Sequence, residues 1–183
     1  MRRLGVLALQ GAFARHAQAI EALGERAQLV KTPAELRDLD GLILPGGESS
    51  VQLQLIARAG LEPALLAFAR AGKPMLGTCA GLILLARQVQ SPAQHSLGLL
   101  DVCVERNAWG RQVHSFEALA DEPALPLVFI RAPRIVSHGE VEVLARFRGE
   151  PVLVRQGNIL GATFHPELTT DLRVHRWLLE RPA

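Results

Sequence analysis

The run Gly77-Thr78-Cys79-Ala80-Gly81 constrains this chain more than any other. It follows a short apolar stretch, residues 74–77, that reads as a strand. It precedes Leu82-Ile83-Leu84-Leu85, which is apolar all round and so predicts a buried helix. A cysteine flanked by glycine two residues to either side, where a strand gives way to a helix, is the pattern of a nucleophile elbow. So tight a turn holds its nucleophile at strained φ/ψ, and the glycines let strand and helix approach. The helix start favours a thiolate and offers backbone N–H groups, that of Ala80 in particular, to a developing oxyanion. An isolated cysteine is more often buried structure than nucleophile. Cys103 fits that plainer description: it lies mid-strand between Val102 and Val104, with no flanking glycine and no helix behind it.

An elbow of this kind needs a sheet to stand on. Residues 4–9 read as a strand, and Phe13, Ala17, Ile20 and Gly24 then recur at helical spacing. Residues 27–30 and 42–44 are further short apolar runs, Ser49 is placed to cap a helix through Arg58, and residues 61–70 read as another helix. Continuous apolar strands are buried on both faces, and successive βα connections are right-handed. The expected fold is therefore α/β: a three-layer, flavodoxin-like, mostly parallel sheet with helices on both faces. In the second half, short alternating runs at 100–104, 127–130, 141–147 and 152–155 predict added antiparallel hairpins. A last strand spans 159–164, and Thr170-Asp171 starts a terminal helix through Leu179. At 183 residues, 1–183 is expected to form one domain.

A cysteine used for acyl transfer needs a base, and the base needs a partner that fixes its tautomer. His165-Pro166-Glu167, just past the last strand, supplies both. In an extended segment residues i and i+2 project to one side, and Pro166 biases His165 towards that geometry. The other histidines, His16 and His175 on helices and His95, His114 and His138 in loops or hairpins, have no carboxylate partner at short spacing and read as structural. No His/Cys/Asp spacing matches a metal-ligand pattern, so no metal or other cofactor is expected.

The partner class follows from charge. With 20 Lys+Arg against 18 Asp+Glu, no block of like charges and no Tyr, the chain lacks a footprint for nucleic acid or an anionic membrane. A small-molecule site fits better. Two cysteines at 79 and 103 make neither a disulfide framework nor a Cys-x-x-Cys motif and suit a reducing cytoplasm. Met1-Arg2-Arg3 and the apolar residues after it superficially resemble a signal peptide, but the run is too short and breaks at Gln10-Gly11. The glycine-rich stretch Pro45-Gly46-Gly47-Glu48-Ser49 is no phosphate loop: it lacks the Lys-Ser/Thr ending, and Glu48 would repel a phosphate. Its glycines can instead bring backbone N–H groups close to a substrate.

The elbow cysteine and the His-Pro-Glu run resemble those of the class I, or triad, glutamine amidotransferases. Further blocks narrow the resemblance. Residues 5–11, 45–49, 77–81, Asn107-Ala-Trp-Gly-Arg-Gln112, Ser115-Phe-Glu117, Phe129-Ile-Arg-Ala-Pro133 and His165-Pro-Glu-Leu-Thr169 are together similar to the glutaminase subunits of pyridoxal 5′-phosphate synthases. That resemblance implies hydrolysis of L-glutamine to L-glutamate and ammonia through Cys79, His165 and Glu167 and a thioester. The ammonia would pass to a separate synthase subunit, in a hetero-oligomeric complex that assembles pyridoxal 5′-phosphate. It also implies that Gly47, Glu48, Ser49, Arg106, Ile130 and Arg131 bind glutamine, with backbone N–H groups near Gly47 and Ala80 holding the oxyanion. Which arginine takes the glutamine carboxylate stays open. The chain departs from the family at Ser50-Val51, where two threonines are common, and at Arg15, where an acidic residue is. Two other readings remain: a stand-alone γ-glutamyl hydrolase, and a catalytically silent regulatory subunit. Gln10-Gly11, after the first strand, is expected near the crevice as an element sensitive to docking.

Overall fold

The computed structural model describes residues 1–106 and 115–180; the block 107–112 and His114 lie outside them. In chain order the elements are β1 (Arg3–Leu7), α1 (Phe13–Ala22), β2 (Arg26–Val30), β3 (Gly41–Leu44), α2 (Ser49–Arg58), α3 (Glu62–Arg70), β4 (Met75–Thr78) and α4 (Ala80–Leu85). There follow β5 (Ala86–Gln90), β6 (Leu100–Glu105), β7 (Phe116–Leu119), β8 (Pro126–Phe129), β9 (Arg134–His138), β10 (Glu142–Phe147), β11 (Glu150–Gln156), β12 (Ile159–Ala162) and α5 (Arg173–Leu179). Seven strands form the main sheet in the order β10-β11-β12-β4-β3-β1-β2. Its five strands from β12 to β2 run parallel, and β10 and β11 add to it antiparallel. This is the α/β architecture expected, a parallel centre with antiparallel additions from the second half.

Side-chain alternation along the central strands explains the layers. Leu7, Leu42, Leu44 and Met75 face one core with Ile56, Leu65, Phe68 and Leu82 from α2, α3 and α4. Leu4, Val6, Ile43 and Leu76 face the other with Ile20 of α1 and Val174 and Leu178 of α5. A strand with apolar residues on both faces can be stable only between two covering layers, which is why these runs read as unbroken in the sequence.

The elbow shows why its glycines are there. Cys79 has φ +50° and ψ −105°, a region that residues with a Cβ seldom occupy. A Cβ on Gly77 would stand 2.5 Å from the Gly81 carbonyl oxygen, and one on Gly81 would stand 1.9 Å from that of Leu44. Any side chain at either place would push α4 off the sheet.

Several boundaries differ from expectation, each for a local reason. Glu48, not Ser49, caps α2, its carboxylate accepting from the Ser50 N–H at 3.4 Å, because Ser49 is already the first helical residue. The terminal helix begins at Arg173, with Asp171 accepting its N–H at 2.9 Å from before the helix start. Residues 100–104 lie in β6, which among the described residues joins no hairpin: β6 pairs parallel with β5 and antiparallel with β9. The expected hairpins do occur at β7–β8 and β10–β11. The latter turns through Arg148 and Gly149, both at positive φ as a tight two-residue loop demands.

The β7–β8 hairpin covers the end of β12. Phe116, Phe129, Phe147 and Phe164 pack with ring centroids 4.8 to 6.3 Å apart, and the Val128 carbonyl accepts the His165 N–H at 2.8 Å. Among the described residues no helix is long and apolar enough to cross a membrane.

Candidate active site

Parallel pairing brings distant residues to one edge. β4 pairs with β12 on one side and β3 on the other, and β3 pairs with β1, all pointing the same way. The segments that follow these four strands carry Cys79, His165, Gly46-Gly47 and Gln10 respectively. Carboxyl ends of strands flanking a change of chain direction are where α/β sheets form ligand crevices. A cleft of about 430 Å³ opens there. Gln10, Gly47, Glu48, Ser49, Cys79, Ala80, Ile83, Arg106, Ile130, Arg131 and His165 line it. A larger cleft of about 750 Å³, at the opposite strand ends beside Arg2, Asp40, Lys73 and Asn158, contains neither cysteine nor histidine. Size therefore does not select the chemistry here; the reactive groups do.

The reactive groups are closely coupled. His165 Nδ1 is 2.8 Å from Glu167 Oε1, and both side chains are buried. The pair is not an extended i, i+2 arrangement, because Pro166–Leu168 forms a 3₁₀ turn. Pro166 fixes the φ of its first residue, and the turn swings Glu167 back beneath the imidazole. Burial alone would lower the His165 pKa. Hydrogen bonds to Cys79 and Glu167, and their negative charges, outweigh it and raise the value to about 10. Burial likewise opposes ionisation of Glu167, but the His165 hydrogen bond, with His16 and His165 nearby, draws its pKa below the usual carboxylate range. The imidazole is thus held protonated and the carboxylate ionised at neutral pH. Cys79 Sγ also lies 3.9 Å from the Ile130 carbonyl oxygen.

The far end of the cleft is polar. Arg106 Nη2 is 3.2 Å from Glu48 Oε1. Hydrogen bonding from Ser50, with the Arg106 and Arg131 charges, lowers the Glu48 pKa despite partial burial. Arg131 lines the cleft at φ +44°. The Ser49 hydroxyl donates to Gln94 Oε1 at 3.1 Å, so its partner is a protein group that motif reading did not anticipate. Gln10 Oε1 accepts the Glu48 N–H at 2.9 Å, joining the loop after β1 to the loop after β3.

The His165 imidazole is packed against backbone. A Cβ on Gly46 would fall 2.4 Å from His165 Cε1 and 2.9 Å from Nδ1. Gly46→Ala is expected to push the ring aside and lower turnover by about 10²-fold, the effect of a misplacement near 1 Å. The strain should also cost about 1–3 kcal/mol of stability. Steady-state kinetics and a thermal melt check both.

Of the proposed site residues, only Glu167 does not line the cleft; it lies behind His165. Two residues read as merely structural lie behind Glu167 in turn. His16 Nδ1 is 2.9 Å from His175 Nε2, and His16 Nε2 is 3.1 Å from Thr78 Oγ1 and 3.4 Å from Glu167 Oε2. The available signal was position: His16 falls on the face of α1 shared with Phe13 and Ile20, where a polar group is out of place unless it has partners. His95 pairs with Glu62 at the surface, and Cys103 sits on β6 beside Ser137. Among the described residues no three His, Cys, Asp or Glu side chains are grouped to hold a metal ion.

Comparison with known proteins bears on both fold and family. The SNO glutamine amidotransferase family matches residues 6–182. Pyridoxal 5′-phosphate synthase subunit PdxT of Thermotoga maritima is 48% identical over 184 residues, covering 97% of this chain and 98% of its own. The like-named protein of Koribacter versatilis is 53% identical, covering 97% and 94%. A crystal structure of a glutamine amidotransferase superposes with a TM-score of 0.90 at 47% identity, over 96% of each chain. The structure of PurLQS from Thermotoga maritima, at 20% identity and a TM-score of 0.75, shares the fold.

Proposed function

Because the chain belongs to the SNO glutamine amidotransferase family, we propose that it is the glutaminase subunit of a pyridoxal 5′-phosphate synthase. It hydrolyses L-glutamine to L-glutamate and ammonia, and the ammonia passes to a separate synthase subunit; that its relatives are named as subunits of a pyridoxal 5′-phosphate synthase supports this reading. The observation that carries the chemistry is the 2.8 Å contact of His165 Nδ1 with the buried Glu167 carboxylate, on the same cleft as the elbow cysteine.

In this reading Cys79 has given its proton to His165, and the thiolate attacks the side-chain amide carbon of glutamine. Backbone N–H groups of Gly47 and Ala80 hold the oxyanion. The C–N bond breaks as His165 protonates the departing nitrogen, leaving a thioester and free ammonia. Water then attacks the thioester, His165 takes its proton, glutamate leaves and the thiolate is restored. Glu48 suits the α-ammonium of the substrate, and Arg106 or Arg131 its α-carboxylate, with Ser49 and the Ile130 backbone beside them. We infer a cytoplasmic setting, since a nucleophilic thiol must stay reduced.

Measuring ammonia release with and without an added synthase subunit tests the assignment. Turnover stimulated by the subunit is expected. A full rate without it would favour the stand-alone γ-glutamyl hydrolase, and no turnover under either condition the silent regulatory subunit.

A further inference from the structure

His16, His175 and Thr78 are almost wholly buried, from three elements that meet behind Glu167. Nothing in the reaction just described uses them. Burial lowers the pKa of His16 to about 4 and of His175 to about 3, so each imidazole is neutral at pH 7 and carries one N–H and one lone pair. That leaves two arrangements. In the first, His175 Nε2–H donates to His16 Nδ1, and His16 Nε2–H is shared between Thr78 Oγ1 and Glu167 Oε2. In the second the protons are reversed, and the lone pair of His16 Nε2 points at the carboxylate.

Two observations choose the first. Glu167 is ionised, and among the described residues no hydrogen bond closes on its Oε2, so a lone pair aimed there would be repelled and an N–H attracted. His175 Nδ1 also has no hydrogen-bond partner among the described residues. The first arrangement leaves it a bare lone pair, whereas the second leaves a buried N–H donor unmade, the rarer and costlier defect.

We propose that His16 is a positioning residue whose Nε2–H holds the outer oxygen of Glu167 and the hydroxyl of Thr78, with His175 setting which nitrogen carries the proton. Thr78 immediately precedes the nucleophile and Glu167 orients the base, so one imidazole ties the two halves of the site together. At 3.4 Å this is the longer of the two contacts of His16 Nε2, the one to Thr78 Oγ1 being 3.1 Å. The proposal rests on the assignment of Cys79, His165 and Glu167 made above. The ionisable groups facing Glu167 are His165 from its own segment, His16 from α1 and His175 from α5, with Cys79 beyond His165.

The test compares His16→Gln, whose amide N–H falls near the Nε2 position, with His16→Leu, which has similar bulk and no donor. Turnover and KM are measured from about pH 3 to 9 on the full chain with its synthase subunit present, so that the window takes in the low acid limb set by Glu167. Without the donor, Glu167 binds a proton more readily and holds the imidazolium less well. His16→Leu should therefore lower kcat by about 10–100-fold, as for one hydrogen bond to a charged group. It should also move the acid limb of the profile up by about one to two pH units, with KM little changed. His16→Gln should keep most of the turnover and the wild-type limb. A folded His16→Leu with the wild-type limb, or a His16→Gln impaired as badly as His16→Leu, overturns the proposal. Should His16→Leu not fold, the ¹⁵N shifts of His16 in the wild-type chain decide: an Nε2–H tautomer supports it and an Nδ1–H tautomer overturns it. Turnover surviving in Cys79→Ala would instead remove the underlying assignment, so the two failures are distinct.

Discussion

Replacing Cys79 with Ala is expected to lower glutamine hydrolysis by about 10⁴-fold or more, because under the proposed assignment it removes the nucleophile and disables the whole relay rather than one contribution to it. The fold should survive. The thiol is small, and the Cys79 backbone remains tied by its N–H to the Ala162 carbonyl at 2.8 Å and by its carbonyl to the Ile83 N–H at 3.2 Å. Glu48, Arg106 and Arg131 are untouched, so glutamine should still bind, and isothermal titration can show it. Cys79→Gly adds a stability comparison. At φ +50° and ψ −105° a Cβ is strained whatever it carries, so Gly should melt higher than Ala by about 1 kcal/mol while being equally inactive. Turnover retained in either variant would refute the nucleophile, and an unchanged melting difference would refute the strain.

Gly81→Ala should cost more stability than any change to the reacting groups. Its Cβ would stand 1.9 Å from the Leu44 carbonyl oxygen and 2.7 Å from the Leu44 carbonyl carbon. Both atoms are backbone of β3, held between β1 and β4, so neither can step aside. Either α4 lifts, exposing Leu82, Leu84 and Leu85, or β3 moves. We expect a loss at the upper end of the overpacking range, about 3 kcal/mol, and hence a melting temperature lower by about 6–12 °C for a chain of this size. Since α4 carries Ala80 beside the nucleophile, turnover should fall with it. A variant that melts and turns over like the wild type would show that the close approach is not required.

How much of this was legible depended on whether the cause was local. The elbow could be read because its glycines answer a clash within five residues, Gly77 against Gly81. The central strands could be read because Leu42, Ile43 and Leu44 are apolar regardless of which core they enter. The cap of α2 was misread because Glu48 and Ser49 both satisfy capping preferences and only the observed hydrogen bond to Ser50 separates them. β5 was missed: Ala86–Gln90 carries no clear alternation and is a strand only because β6 lies alongside it. His16 and His175 read as inert because their partners, Thr78 and Glu167, are far away in sequence. Only the pairing of β4 with β12 and the packing of α1 and α5 behind them bring these groups together.

β12, which is the last strand of the main sheet to be made, lies inside it, between β11 and β4. Cys79 therefore leaves the ribosome well before His165, by several seconds at about 5–20 residues per second. Throughout that interval Cys79 has no His165 to take its proton and β4 has no β12 neighbour. Under the proposed assignment the order of synthesis acts as a lock: hydrolysis waits until the closing strand has slid into the middle of the sheet, and a half-made chain is expected to release no ammonia.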